Sequence, residues 1–202
     1  MEVISVKNLN QNFETSKLII DNQQTLFLPL NLTNFFPKIK TLQVTNSELI
    51  EVNEKVFIGI IELTEINLKH NKITEVNEFG SLAKLSKLDL SHNRIDTLSN
   101  YAFGDLPNLE DLRLNDNFLI KISGKVFSSN RKLKILNLHN NKIAQIASNF
   151  IQSSNFKTLD LSTNECIDSK YPEATLEDII DDIDVNCLVD VELECRFKMV
   201  GS

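Results

Sequence analysis

The chain has 202 residues, 42% of them hydrophobic and 24% charged, and its formal net charge at pH 7 is −7. This composition predicts an ordinary soluble protein with a continuous core, and no apolar run is long enough to cross a bilayer. The negative charge argues against nucleic acid and anionic lipid as main partners, because both attract basic surfaces. No signal peptide opens the chain, so we expect a secreted form to be present here without its leader.

The first part of the chain carries a weak version of the pattern that follows. Residues 1–14 are expected to form an N-terminal strand or the remnant of a cap. Leu18, Ile20 and Leu28 then stand where later units place apolar residues, and Gln23 replaces a later asparagine. The triplet Asn31-Leu-Thr is an acceptor sequence for N-glycosylation, which gives weak support for secretion.

A period of 22 to 24 residues dominates residues 15–164. In each unit two apolar residues flank a variable one, which is the pattern of a short strand with both apolar side chains on one face. One strand per unit predicts a parallel sheet. After the degenerate first unit, the units aligned on Leu-x-x-Leu-x-Leu-x-x-Asn begin at Ile39, Leu63, Leu85, Leu109, Leu133 and Phe156. This period and this consensus resemble the leucine-rich repeat family.

The resemblance implies an α/β repeat solenoid of about six to seven units in one elongated domain. Such a horseshoe has a parallel β-sheet on its concave side, and loops with short helical or 3-10 turns on its convex side. A phenylalanine also recurs at the repeat period on the far side of each unit, and stacked rings there predict a hydrophobic spine. The spine residues are Phe57, Phe79, Phe103, Phe127 and Phe150.

An asparagine follows each predicted strand, where the backbone turns away from the sheet and leaves amide groups without strand partners. A buried amide side chain supplies both a donor and an acceptor at that point. We therefore predict a structural ladder, not a ligand site, and we expect it to be weaker or water-assisted at Ser47, which occupies the same position. The ladder residues are Asn71, Asn93, Asn117, Asn141 and Asn164.

The residues that flank the inward leucines face outward on the concave side, because side chains alternate along a strand. Their charges are mixed, which favours a specific polar partner, and none of them is an aromatic anchor. The candidate contact residues are Asn67, Lys69, His70, Asp89, Ser91, His92, Arg113, Asn115, Asp116, Asn137 and His139. The loop edge is the second candidate surface, and its apolar residues are Phe27, Ile50, Phe118 and Ile120.

His70 and His92 occupy equivalent positions of adjacent units, about 5 Å apart by the strand spacing, and Asp116 is next in the row. One hypothesis is a pH-sensitive or metal-binding site, in which case replacing His70 changes binding between about pH 5 and 7. The other is local hydrogen bonding, because the family consensus often has histidine or asparagine here. Two histidines and one carboxylate are few ligands for a metal ion, so we expect neither a metal nor another cofactor.

Residues 165–202 are expected to form a C-terminal cap, since the open end of a solenoid needs cover. Thr175–Asp178 resemble a capping box, and the apolar stripe that continues to Ile183 predicts a short amphipathic helix. The segment is similar to the cysteine-bearing caps of extracellular leucine-rich repeat proteins, most of all those secreted by insects. That resemblance implies a disulfide between Cys166 and Cys187.

A third cysteine, Cys195, lies in an alternating apolar segment that predicts a strand. One alternative is a buried, inert thiol. The other is a cysteine that pairs with another chain, or that has lost its partner because the chain is cut from a longer protein.

The sequence does not predict an enzyme, because it has no glycine-rich phosphate loop, no nucleophile elbow and no spacing typical of metal ligands. The leading hypothesis is a non-enzymatic, secreted module that binds a protein through the concave sheet or its rim, with immune recognition or adhesion as family associations. One alternative is a structural subunit that pairs with itself or another chain through Cys195 and the terminal strand. Another is an intracellular scaffold with reduced cysteines. The sequence leaves the partner, the process and the oligomeric state open.

Overall fold

The computed structural model describes residues 14–147, 149–150 and 156–172, together with Ile179, Ile183 and Cys187. In chain order the strands are β1 (Lys17–Asp21), β2 (Thr41–Thr45), β3 (Glu65–Asn67), β4 (Glu75–Val76), β5 (Lys87–Asp89), β6 (Thr97–Leu98), β7 (Asp111–Arg113), β8 (Lys121–Ile122), β9 (Ile135–Asn137), β10 (Gln145–Ile146), β11 (Thr158–Asp160) and β12 (Lys170–Pro172). Two 3-10 helices, Leu32–Asn34 and Glu54–Phe57, lie in the connections between the first three strands. Within these ranges no helix is long and apolar enough to span a membrane.

One strand from every repeat enters a single eight-stranded sheet with the order β1-β2-β3-β5-β7-β9-β11-β12. The first seven strands are parallel, and their inward residues align, so that Leu88 pairs with Ile66 on one side and with Leu112 on the other. The degenerate first unit joins in the same way, because Leu18 of β1 pairs with Leu42 of β2. The predicted repeat solenoid with a parallel concave sheet is confirmed.

The last strand of the sheet, β12, was not predicted. It pairs with β11 in the antiparallel direction, and the chain reverses where Thr163 has φ 59° and its backbone N–H donates to Asp168 Oδ1 at 2.6 Å. Pro172 closes the strand, and proline is tolerated there because an edge strand has one side without ladder partners. Backbone hydrogen bonds from Asn164 to Ile167 and from Leu161 to Ser169 also hold the reversal, and a pattern of apolar residues predicts none of these bonds.

Outside the concave sheet, β4 pairs with β6 and β8 with β10, each as a short parallel ladder. We predicted only loops and short turns there, so the 3-10 helices are confirmed and the two ladders are an addition. Each of these strands has two residues, such as Lys121–Ile122 with only Ile122 buried. A strand this short has no alternation that a sequence pattern could detect.

The phenylalanine spine forms as predicted. The ring centroids of successive members lie 5.7 to 6.3 Å apart, and every member is at most 3% exposed. Each ring thereby covers the next one along the solenoid, which is how a repeat without its own closed core buries its apolar side.

The asparagine ladder joins each repeat to the one before it. Asn93 illustrates the arrangement: its Oδ1 accepts from the backbone N–H of Ile73, and its Nδ2 donates to the carbonyl oxygens of Leu68 and Leu90 at 3.0 Å each. The other ladder asparagines make equivalent bonds with the preceding unit and with their own. These hydrogen bonds are the ones that the predicted structural ladder requires.

At the N-terminal end the ladder continues in a reduced form. Ser47 is fully buried, its hydroxyl donates to the Thr45 carbonyl oxygen at 2.5 Å, and it accepts from the backbone N–H of Gln23 at 3.3 Å. A hydroxyl offers one donor where the asparagine amide offers two, so fewer backbone groups are bridged here.

Cys166 and Cys187 form a disulfide, as the resemblance implied. The backbone N–H of Ile146 in β10 donates to the Cys187 carbonyl oxygen at 3.0 Å, so the cap is also hydrogen-bonded to the final repeats. Ile179 and Ile183 are helical and each 2% exposed, which agrees with the predicted cap helix at these two positions. The capping-box residues Thr175–Asp178 and Cys195 lie outside the described residues.

The double variant Cys166→Ser/Cys187→Ser should lose about 3 kcal/mol of unfolding free energy. The bridge closes a segment with a sequence separation of 21, and a loop of this size restricts the unfolded chain by that amount. Urea denaturation followed by circular dichroism measures the loss. Dithiothreitol should lower the midpoint of the parent and leave that of the variant unchanged; equal midpoints for the oxidised parent and the variant would contradict the prediction.

Candidate functional site

The concave face consists of three columns, each with one side chain per repeat. The first column occupies the last residue of each strand, where Asn67, Asp89, Arg113 and Asn137 are direct neighbours across the sheet. The second column follows the next inward residue and contains Lys69, Ser91, Asn115 and His139. The third column comes directly before the ladder asparagine and contains His70, His92 and Asp116. The predicted concave candidates therefore share one continuous surface.

The backbone conformation explains which residue types occupy the third column. Every member has a positive φ between 51° and 59°, a conformation in which asparagine, aspartate and histidine are enriched. The members are Asn22, Asn46, His70, His92, Asp116, Asn140 and Thr163. The sequence did carry this signal, since six of the seven belong to those three residue types.

Most of the first column serves local turns. The side chains of Asn67, Asp89, Asn137 and Asp160 each accept from the backbone N–H two residues further on, at 3.0 to 3.2 Å. Arg113 stands in the same column without such a bond, since a guanidinium cannot accept one. Its side chain is 51% exposed and forms an ion pair with Asp111 at 3.2 Å. The turn-forming role of the column therefore does not account for the arginine at this position.

His70, His92 and Asp116 form a short row across adjacent repeats. The two imidazole rings stack with centroids 4.2 Å apart and planes 14° apart, and His92 Nε2 lies 3.4 Å from Asp116 Oδ2. Burial opposes the ionisation of Asp116, but hydrogen bonds from the amides of Asn140 and Asn115, both 2.7 Å, hold its pKa below the ordinary value. Among the described residues, no group of three or more histidine, cysteine, aspartate or glutamate side chains has the geometry to hold a metal.

A groove of about 350 Å³ runs along the concave face between these columns. Lys69 and Arg113 line it together with Asp89 and Asp160, so cationic and anionic groups alternate over a short distance. Lys170 of β12 also lines the groove and forms an ion pair with Asp160 at 3.0 Å. Sequence reasoning missed Lys170 because it did not predict β12.

The repeat architecture agrees with a family comparison. The family model described as Leucine rich repeat matches residues 37–95, 83–143 and 107–165, which together cover more than half of the chain. The chain belongs to the leucine-rich repeat family. Proteins with this fold typically act as interaction modules and not as catalysts.

Three relatives show what this leucine-rich repeat chain is similar to. The human volume-regulated anion channel subunit LRRC8D is 34% identical over 86 residues, which are 41% of this chain and 10% of that protein. The structure of the Drosophila Toll–Spatzle complex matches with 28% identity and a TM-score of 0.68 over 87% of this chain and 24% of that one. The TLR13–ssRNA13 complex matches with 26% identity and a TM-score of 0.56 over 74% of this chain and 25% of that one. The chain thus spans between about a tenth and a quarter of these relatives.

The rim of the leucine-rich repeat sheet carries the four predicted apolar residues, and all four are exposed. Phe27 and Ile120 are each 53% exposed, Phe118 43% and Ile50 36%. The Nζ atom of Lys142 lies over the Phe118 ring, 4.9 Å from its centroid. Leu26, which sequence reasoning did not select, is also exposed, and its carbonyl oxygen accepts from the backbone N–H of Ile50.

The predicted glycosylation triplet lies at the start of the first 3-10 helix. Asn31 is exposed, has φ 55° and makes no capping hydrogen bond with its side chain. The Thr33 hydroxyl donates to the Ile58 carbonyl oxygen of the next repeat. The asparagine is thus accessible on the folded surface, and its modification stays a prediction.

Acidification should destabilise the parent chain more than a His70→Asn variant. Partial burial, then the charges of His92 and Lys69, lower the pKa of His70, against the opposing effect of Asp89 and Asp116. The unfolded chain therefore binds the proton at a higher pH than the folded chain. The stability present above about pH 6.5 is lost as the pH falls. Urea midpoints at pH 7.5 and 5.5 measure the difference, and an identical pH dependence in both proteins would exclude this role of His70.

Proposed function

We propose that this chain is a non-enzymatic, extracellular recognition module that binds a protein partner through its concave face. The observation that carries the proposal is Arg113, a half-exposed cation that lines the groove in a column whose members mostly serve local turns. Lys69 lies on the same face and lines the same groove. Arginine is enriched at the energetic centres of protein interfaces, because its planar fork binds carboxylates in a bidentate manner.

Two further observations support the extracellular part of the proposal. The disulfide between Cys166 and Cys187 is of the kind that persists in oxidising compartments. The similarity to Toll, which is in complex with Spatzle in the matched structure, supports a protein ligand and the resemblance to insect proteins. Immune recognition or adhesion is the biological role that we propose on this basis. We also propose the division into residues 1–14, repeats 15–164 and a cap 165–202.

The rim is the second candidate surface, favoured by the exposed Phe118 and Ile120. These side chains supply the apolar contact area that the concave columns lack, and aromatic anchors are enriched at interfaces. A partner that uses both surfaces would place a polar segment in the groove and an apolar one on the rim.

A photo-crosslinking experiment tests the proposal and captures a partner whose identity is open. A crosslinking amino acid replaces Asn115 on the concave face, Ile120 on the rim or Tyr101, which is 62% exposed and lies outside the three concave columns, as the control. The secreted protein is incubated with extracellular fluid and cell surfaces of the source organism. We expect one protein to crosslink from position 115, and Arg113→Glu to abolish that product.

The competing outcomes separate the surfaces. A product from position 120 alone, insensitive to Arg113→Glu, would move the site to the rim. Crosslinking only from position 101, or equally from all three positions, would contradict both surfaces. A disulfide-linked dimer on non-reducing gels, lost in Cys195→Ser, would instead favour the assembly alternative.

A further inference from the structure

One edge of the solenoid carries a column of alternating charges that, among the residues the structure describes, is interrupted once. The Lys38 Nζ atom binds Glu14 of the preceding repeat at 2.8 Å, and two repeats later Lys84 Nζ binds Glu62 at 2.6 Å. At the next equivalent step Lys132 Nζ binds the amide oxygen of Asn108 at 2.6 Å. The geometry is the same, but a neutral amide stands where the column has an acid. The positive charge of Lys132 is therefore not neutralised by this bond.

The uncompensated lysine belongs to a cluster that we call the basic edge patch, formed by Arg131, Lys132, Lys134 and Lys157. These side chains and Glu110 line one surface depression of about 480 Å³. Lys134 is paired with Glu110 at 2.7 Å, and among the described residues none of the other three cations forms an ion pair.

The pKa of Glu110 indicates that three of the lysines lie close to this carboxylate. The hydrogen bond and the charge of Lys134 lower the pKa of Glu110, with further contributions from Lys132 and Lys157. The patch thus has one acid against four bases, and three positive charges remain for a ligand.

The negative net charge of the chain comes from a segment that does not contain this patch. Residues 173–202 contain nine aspartates and glutamates against two lysines and arginines, which accounts for the whole formal charge of −7. Residues 1–172 have no net charge, so a local cluster of cations dominates its surroundings within a Debye length of about 8 Å. The net charge, which argued against nucleic acid and anionic lipid as main partners, therefore does not argue against an anionic ligand at this edge.

The chemistry of the patch restricts the kind of partner. Its lining contains no apolar side chain to form the dry centre of a protein interface, and no aromatic ring on which a nucleic-acid base could stack. What remains is purely ionic recognition by guanidinium and ammonium groups, which suits the oxyanions of a flexible, highly charged chain. Lys134 and Lys157 directly precede the adjacent strands β9 and β11, about 5 Å apart by the strand spacing, so they can contact successive anionic groups. We propose that the basic edge patch binds a sulfated polysaccharide.

Chromatography of the full chain on immobilised heparin at pH 7.4 tests the proposal. We expect retention in about 50 mM NaCl despite the net charge of −7, and elution well below 1 M NaCl, because ionic contacts weaken as salt rises. The variant Arg131→Gln/Lys132→Gln should bind heparin about tenfold more weakly at 150 mM NaCl. Asn108→Glu should also weaken binding, because it restores the missing acid beside Lys132 without removing any cation.

Lys38→Gln/Lys84→Gln is the matched control. It removes two lysines from the same edge column and changes the net charge by the same amount, but both lysines are already paired with acids. The control should elute with the parent, and thermal melts establish that all variants are folded. An equal loss in the control, or no retention of the parent, would overturn the proposal.

Competing polyanions identify the chemistry. Desulfated heparin should fail to displace the protein from the column, whereas heparin in solution should displace it. Displacement by desulfated heparin would show that sulfate is not recognised. Stronger displacement by oligouridylate or by polyglutamate than by heparin would assign the patch to RNA or to an acidic peptide and overturn the polysaccharide assignment. None of these results bears on the concave groove, because none of the patch residues lines it.

Discussion

The Asn117→Leu variant should lose about 4 kcal/mol of unfolding free energy. Asn117 is 4% exposed, and its Oδ1 accepts from the backbone N–H of Ile95 at 2.9 Å. Its Nδ2 donates to the carbonyl oxygens of Leu90 and Leu114 at 3.0 Å each. Leucine has a similar volume but no polar atom, so it leaves these buried backbone groups without partners, each at a cost of about 1 to 3 kcal/mol.

Urea denaturation measures the loss, with two companion variants. Asn117→Ser should fall between the parent and Asn117→Leu, because the chain already uses a serine in this role at Ser47. Asn115→Ser, on the concave face two residues away, should change stability by less than about 1 kcal/mol. A similar small change in Asn117→Leu and Asn115→Ser would mean that the ladder is not a main source of stability.

The sequence was sufficient to predict the ladder and the sheet because both repeat with one period. Leu88, for example, faces inward together with Leu90 two residues further on, and every other unit repeats the arrangement. A shift of one residue would expose the whole inward column, so the pattern fixes the register as well as the strands. The membership of each concave column follows from the same alignment.

Features that occur once could not be found in this way. The turn before β12 includes the hydrogen bond from the Thr163 N–H to Asp168, and the repeat period does not predict this turn. Asn130 occupies a position that neighbouring units fill with Leu82 and Leu106, yet it is fully buried, because its Nδ2 donates to the carbonyl oxygens of Phe103 and Leu106. A pattern of apolar residues cannot anticipate a buried amide whose partners are backbone oxygens.

The candidate site was predicted as a surface, but its members could not be ranked. The sequence placed His70 and His92 beside one another, and the backbone angles give the conformational reason why their column favours histidine. Arg113 is the stronger candidate for partner binding, because it does not have the turn-forming role of most of its column. Ranking the candidate contact residues therefore required knowledge of which side chains form hydrogen bonds with the nearby backbone.

The Phe103→Ala variant should lose about 4 kcal/mol of unfolding free energy. Phe103 is fully buried and stacks between Phe79 and Phe127, with centroid distances of 6.3 and 5.7 Å. Truncation removes the buried ring area and leaves a cavity between two neighbouring rings, and substitutions of this kind cost about 3 to 5 kcal/mol. In a solenoid the damage spreads, because each repeat is stabilised mainly by its neighbours.

Urea denaturation of Phe103→Ala, Phe103→Leu and Tyr101→Ala separates the packing effect from a general loss of aromatic residues. Leucine refills most of the cavity, so Phe103→Leu should lose less than half as much as Phe103→Ala. Tyr101 is 62% exposed in the same repeat, and its replacement should change stability by less than about 0.5 kcal/mol. Equal losses in Phe103→Ala and Tyr101→Ala would contradict a spine that holds the repeats together, since Tyr101 does not take part in the stack.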